Sequence, residues 1–165
     1  MQIRLSIRRS GSALVYGIPR WYRIVSWAIA LVLVAASAFS GGFGAPGLVI
    51  VAVAALAALY QERWTFDAEA DACSGRMGLL FAAKGPDFKA SDVARLRIDV
   101  FAKGRLDQGS LPPADKMPYG SQARLVLDTK SGDSYMLDSV PFRRRADLES
   151  TALLIAEELG VPLGD

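Results

Sequence analysis

Three groups of residues in this 165-residue chain have types and spacings that could do chemistry: a glycine run, carboxylates beside one cysteine, and a triple arginine. Gly42, Gly44 and Gly47 spell G-x-G-x-x-G, with Asp67 20 positions further on, the outline of a dinucleotide-binding turn. Such a turn needs a strand of about five residues before it and a helix after it, inside a βαβ unit. Here the preceding apolar run, Ile24–Phe39, is 16 residues long, and Pro46 removes an N–H where phosphate would need donors. No alternation of strands and helices follows, so a nucleotide site is disfavoured. Asp67, Glu69 and Asp71 alternate on the polar side of an expected strand and its end. A solvated face is the plainer reading there, and a cation site the sharper one. Cys73, the one cysteine, falls in an expected turn at Ser74-Gly75 and excludes both an intramolecular disulfide and a CxxC metal site. Histidine is absent, which removes the commonest general base and metal ligand. No Walker, G-x-S-x-G or H-E-x-x-H pattern occurs. We therefore expect no enzyme, no cofactor and no metal.

Arg143, Arg144 and Arg145 stand just before an expected helix, whose N-terminus favours anions rather than cations. They suit contact with anionic lipid or an acidic partner, with ordinary solvated charge as the alternative. Residues 61–165 as a whole hold 14 basic and 17 acidic side chains, so this part as a whole is not expected to be a cationic lipid or nucleic-acid binder. The stretch Ala102–Ser121 is 20 residues long and rich in proline and glycine, too long for a tight strand connection. It reads as a loose loop, or as a partner-binding loop anchored by Leu106, Leu111, Met117 and Tyr119.

The elements that must position these groups follow from the distribution of charge. From Ile24 to Tyr60, 37 consecutive positions carry none. Ile24–Phe39 and Ala45–Tyr60 each supply 16 residues, about 24 Å of helix, which flanking Trp21, Tyr22, Trp27, Tyr60 and Trp64 can extend into a membrane interface. Gly41, Gly42, Gly44 and Pro46 would turn the chain between the two spans. Small residues (Ala35, Ala36, Ser37 and Ala38, then Ala52, Ala54, Ala55, Ala57 and Ala58) would let the helices approach closely. Arg4, Arg8, Arg9, Arg20 and Arg23 precede the first span and Arg63 follows the second. The positive-inside rule then places both termini on the cytoplasmic side of a multi-pass inner-membrane protein. The rival reading is a secretory signal cleaved near Ala36–Ala38, after a leader of unusual length.

Period-two alternation dominates the remainder. Strands are expected at Arg63–Ala70, Gly75–Lys84, Val93–Phe101, Gln122–Lys130 and Ser134–Val140, the last two forming a hairpin across Ser131-Gly132-Asp133. Leu148, Ala152, Ile155 and Leu159 recur at helical spacing with Leu154 on a neighbouring flank, and Gly160 with Pro162 ends that helix. QIRLSIR and ALVYGI near the N-terminus either add two strands to the sheet or lie on the lipid surface.

A two-span hairpin followed by YQERWTFD, a GLLF strand, the LDTKSGDSYML hairpin and a closing helix resembles bacterial membrane proteins with a pleckstrin-homology-like cytoplasmic domain. The ending IAEELGVPL and the order of elements are also similar to the photosystem I assembly factor family of thylakoids. The resemblance implies a membrane α-hairpin plus an α+β soluble domain, a PH-like antiparallel β-sandwich or barrel of about seven strands closed by a C-terminal helix. The corresponding divisions are 1–20 (strands joining the cytoplasmic sheet), 21–60 (the transmembrane hairpin) and 61–165 (the PH-like domain). It also implies a role in assembly, scaffolding or regulation through an integral membrane protein partner, and brings no catalytic residues. The alternative is an anionic-lipid headgroup sensor at the inner leaflet, using Arg143–Arg145 and the N-terminal arginines.

Overall fold

The computed structural model describes residues 5–39, 44–102 and 117–164. Gly41 and Gly42 of the expected bend, Leu106 and Leu111 of the expected loop, and Arg4 lie outside these residues. The described chain is an α+β protein of two sheets and three helices. In chain order the elements are β1 (Ser6–Ser10), β2 (Ala13–Gly17), α1 (Arg20–Phe39), α2 (Ala45–Leu59), β3 (Tyr60–Asp67), β4 (Ala72–Leu79), β5 (Asp87–Phe88), β6 (Val93–Phe101), β7 (Gln122–Thr129), β8 (Ser134–Pro141), α3 (Arg145–Leu159) and β9 (Leu163–Gly164). One sheet runs β1-β2-β3-β4-β5 and the other β8-β7-β6-β9. All pairings are antiparallel except β6 with β9. Against the seven strands expected, seven have five residues or more, and β5 and β9 add two residues each.

The N-terminal segments do enter the first sheet. Gly17 of β2 pairs with Arg63 of β3, although 45 residues of chain, including both α1 and α2, lie between them. The helix pair is thus an insertion between neighbouring strands. Its two roots are short: Ile18 donates to Glu62 O (3.0 Å), Tyr22 donates to Pro19 O (3.1 Å), and α2 runs directly into β3 with Tyr60 N–H capping Leu56 O. The helices pack antiparallel, since Arg23 near the start of α1 donates from Nε to Ala58 O at the end of α2 (3.2 Å). That carbonyl is in the last turn, where no further helical N–H is available and a cation is favoured. Small residues do form the seam. Ser26, Ala30 and Ala58 are buried, and Ser37, Ala54, Ala55 and Ala57 are half-buried. The expected Ala35, Ala36 and Ala52 instead face outward. So do Ile24, Leu31, Val32, Leu48, Val49 and Val53, each more than half exposed.

β8 crosses the first sheet, and the core lies where it does. Its Tyr135 stacks on Phe88 of β5 (5.0 Å between ring centroids) and lies 6.4 Å from Trp64 of β3, whereas its Asp138 reaches Tyr16 of β2. Trp64, Phe66, Leu96, Leu125, Leu127 and Leu137 fill the space between the sheets. Each such side chain contributes roughly 1.5–3 kcal/mol relative to exposure. Helix α3 covers the remaining open side with Leu148, Ala152, Ile155 and Ala156, and ends at Gly160, whose positive φ of 64° closes the last turn. Leu159 packs half-buried against the core, but Leu154 turns outward.

Several boundaries differ from the sequence pattern: α1 begins at Arg20, β3 ends at Asp67, and β4 ends at Leu79 where Lys84 was expected. Tyr60, expected to end the second span, is the first residue of β3. β4 begins at Ala72, three residues before its expected start, because the turn falls at Ala68–Asp71. Asp67 fixes that turn by accepting the Ala70 N–H (3.0 Å), and Asp71 takes the left-handed conformation (φ 49°).

Candidate functional site

A concavity opens at the foot of the helix pair, between edge strand β1, edge strand β8 and the first half of α3. It measures about 650 Å³ and is lined by Leu5, Ile7, Pro19, Trp21, Leu148 and Leu154. Its floor is polar. There the Tyr16 hydroxyl donates to the Asp138 carboxylate, which also accepts the Ser139 N–H (2.6 Å). Burial first, and then the Asp138 charge, hold the Tyr16 hydroxyl far above its ordinary range, so it stays a donor at all physiological pH. Glu62, half-buried on the same inward face of the sheet, is raised by burial and then by Asp138. The groove therefore combines an apolar wall with a negatively polarised floor. It can seat an apolar segment that brings a donor or a cation.

Of the glycine run, Gly44 and Gly47 are described, and they belong to the start of a helix. A 20-residue helix, not a strand, precedes the run, Gly44 caps α2, and Gly47 lies in the first turn of α2. Asp67 accepts from Ser12 Oγ (3.0 Å), and Asp71 accepts both the N–H (2.7 Å) and the hydroxyl (3.0 Å) of Ser91. Among the described residues no cluster of acids, cysteines or histidines could hold a metal ion. Cys73 is not in a turn: it lies in β4, 2% exposed, and burial pushes its thiol up to about 12.

The arginine triplet is divided. Arg143 is exposed, Arg144 lines the groove and points Nε at Asp147 (3.4 Å), and Arg145 donates to Glu149 (2.6 Å). The acids at the start of α3 supply the anionic complement its N-terminus calls for. Phe142 N–H donates to Ser121 O (2.9 Å), which sets the turn holding Met117 and Tyr119 beside this segment. Tyr119 is fully exposed and Met117 half-buried.

No protein-family model matches this chain, and no curated protein matches its sequence. Its surfaces must speak for it.

Two features escaped the sequence reading. The Tyr16–Asp138 floor joins residues 122 positions apart, and nothing in either strand's alternation announces it. Arg8, Arg20, Arg23 and Arg63, read for orientation and, at the N-terminus, for headgroup contact alongside Arg143–Arg145, gather around one depression on the outer face of the first sheet. The signal was present in their position at the ends of the apolar block, but not their convergence.

Proposed function

We propose that α1 and α2 cross the cytoplasmic membrane and that the sheets and α3 form a PH-like cytoplasmic domain. In this reading the protein is non-enzymatic, and its groove holds an integral membrane protein partner for assembly, scaffolding or regulation. The observation that carries this reading is the position of the groove, at the foot of a helix pair whose outward faces are apolar. An apolar surface of that extent is unfavourable in water.

Further features support it. α1 is long and apolar enough to span a bilayer, at 20 residues or about 30 Å. α2, at 15 residues, covers about 22 Å and needs interfacial residues to complete a crossing. Because β2 and β3 are paired, the chain re-emerges on the side it left, which suits two crossings and not one. Cleavage of a leader at Ala36–Ala38 would strip β1 and β2 from the sheet. The Leu80 N–H bonds Leu59 O (2.9 Å), which holds the turn carrying Phe81, 79% exposed, beside the end of α2. With Trp21 and Tyr60 it would form an interfacial aromatic belt. Two sheets meeting across one core, closed by a C-terminal helix, suit the PH-like layout. Headgroup sensing through Arg143–Arg145 has less support, because Arg144 and Arg145 already face Asp147 and Glu149.

A photo-crosslinking residue in place of Leu154, activated in cells, tests the partner. The expected product is an adduct with a protein that stays in the membrane after alkaline carbonate washing. Ile7→Asp in the opposite wall should weaken it about tenfold. No adduct, or adducts indifferent to Ile7→Asp, would reject the groove as the docking site.

A further inference from the structure

The outer face of the first sheet carries a second concavity, of about 190 Å³, that the partner-binding reading does not use. Register explains it. Ser6, Gly17 and Arg63 stand in one row across β1, β2 and β3, and Arg8, Val15 and Thr65 in the next. Gly17 leaves the middle of the first row without a side chain. A Cβ there would meet Glu62 O at 2.4 Å, so the depression is enforced by backbone proximity. Arg8 and Arg63 rise from the sheet beside it, and Arg20 and Arg23 reach it from the first turn of α1. Val15, although it faces outward, is only 3% exposed beneath them.

Four like charges around one small depression are unfavourable unless something opposes them. Burial, and then the charges of Arg20 and Arg63, pull the Arg8 guanidinium below its ordinary value. The acids on this face are engaged elsewhere: Asp87 pairs with Arg76 (2.8 Å) and Asp67 accepts from Ser12 (3.0 Å). Glu62 lines the depression, but its side chain belongs to the inward face with Trp64 and Phe66. Among the described residues no carboxylate forms an ion pair with Arg8, Arg20, Arg23 or Arg63. Two of the four are already oriented by neutral acceptors, Arg23 by Ala58 O (3.2 Å) and Arg63 by Thr65 Oγ1 (3.3 Å), each through Nε. Their terminal nitrogens are then presented in fixed directions, the geometry that planar forks use to grip tetrahedral oxyanions.

We propose that the depression over Gly17, ringed by Arg8, Arg20, Arg23 and Arg63, is a binding site for a phosphate group. The group would come from a phospholipid headgroup or from a soluble phosphate. The headgroup source rests on the membrane reading, because the site lies at the root of α1 where headgroups would be. The site itself does not, and inorganic phosphate tests it without any bilayer.

The experiment uses the full-length protein in a non-ionic detergent. One arm follows thermal unfolding with inorganic phosphate against chloride at matched ionic strength. The other counts lipids retained in native mass spectrometry after addition of phosphatidylglycerol or, as the phosphate-free control, diacylglycerol. Phosphate should raise the unfolding midpoint by about 3 °C if the site takes the free anion. Retention of phosphatidylglycerol but not diacylglycerol, with phosphate inert, assigns the headgroup. Arg63→Gln and Arg8→Gln should each reduce the effective response about tenfold, and Arg63→Lys nearly as much, because a point charge does not replace the fork. Arg143→Gln, outside the site, should leave it unchanged. Arg8→Gln should also raise the midpoint in phosphate-free buffer by relieving repulsion, which shows that this variant folds. Neither ligand acting on the unaltered protein would overturn the proposal. So would Lys and Arg proving equivalent at position 63, which would mark a diffuse basic surface.

Discussion

The Tyr16 hydroxyl on β2 donates to the Asp138 carboxylate on β8, so a polar bond ties one sheet to the other at the floor of the groove. Tyr16→Phe keeps the ring and leaves the half-buried carboxylate without that donor. Thermal unfolding should report a loss of about 1–3 kcal/mol, and a loss under 0.5 kcal/mol would show the bond to be incidental.

Glu62 shares that field, and its carboxyl is raised in the folded state by burial and by Asp138. A carboxyl raised on folding is neutral in both states well below 4.5, its ordinary value, and carries no penalty there. As pH climbs from that value through the raised folded one, the unfolded state ionises first and gains. Glu62→Gln should therefore stabilise the protein at neutral pH, with the gain shrinking to nothing under acid conditions. A gain that grows towards acid pH would refute the assignment.

Gly75 of β4 lies under the Trp64 indole, and a Cβ there would stand 2.7 Å from the ring. Gly75→Ala should displace the ring, cost about 1–3 kcal/mol and shift the tryptophan emission. An unchanged midpoint would mean that the indole has room to move.

The Cys73 thiol is enclosed in the core and held up to about 12. Alkylation by iodoacetamide at pH 8 should run at least about a hundredfold slower than for an ordinary exposed thiol, and recover on unfolding. Rapid modification of the folded protein would place Cys73 elsewhere.

Val53 stands on α2 with 60% of its surface exposed. If α2 lies in lipid, Val53→Arg carries an insertion cost of about 2.5–3.5 kcal/mol, and the carbonate-resistant membrane fraction should fall sharply. An undiminished fraction would argue that this face meets water.

Much of the fold was legible because each element announces itself through local spacing. β6, β7, β8, the turn at Ser131-Gly132-Asp133 and the Gly160 stop all stand where alternation and glycine placed them. The β3–β4 turn did not, because Asp67 and Asp71 make their stabilising bonds through side chains at positions that also fit a polar strand face. Cys73 was misplaced with it, one wrong turn carrying a core residue to the surface. Leu154, expected on a flank beside the α3 stripe, sits where the core leaves the helix uncovered.

The sequence alone determined that an uncharged block must be segregated from a charged, alternating remainder, since periodicity and charge are properties of neighbours along the chain. It also placed arginines at the ends of that block. Only the tertiary structure decided that Gly17 and Arg63 are adjacent, that Tyr16 meets Asp138, and that four arginines from β1, β3 and α1 share one depression. Those relationships depend on strand register and on how one sheet crosses another. Both are fixed by the simultaneous burial of distant side chains, which no local spacing encodes.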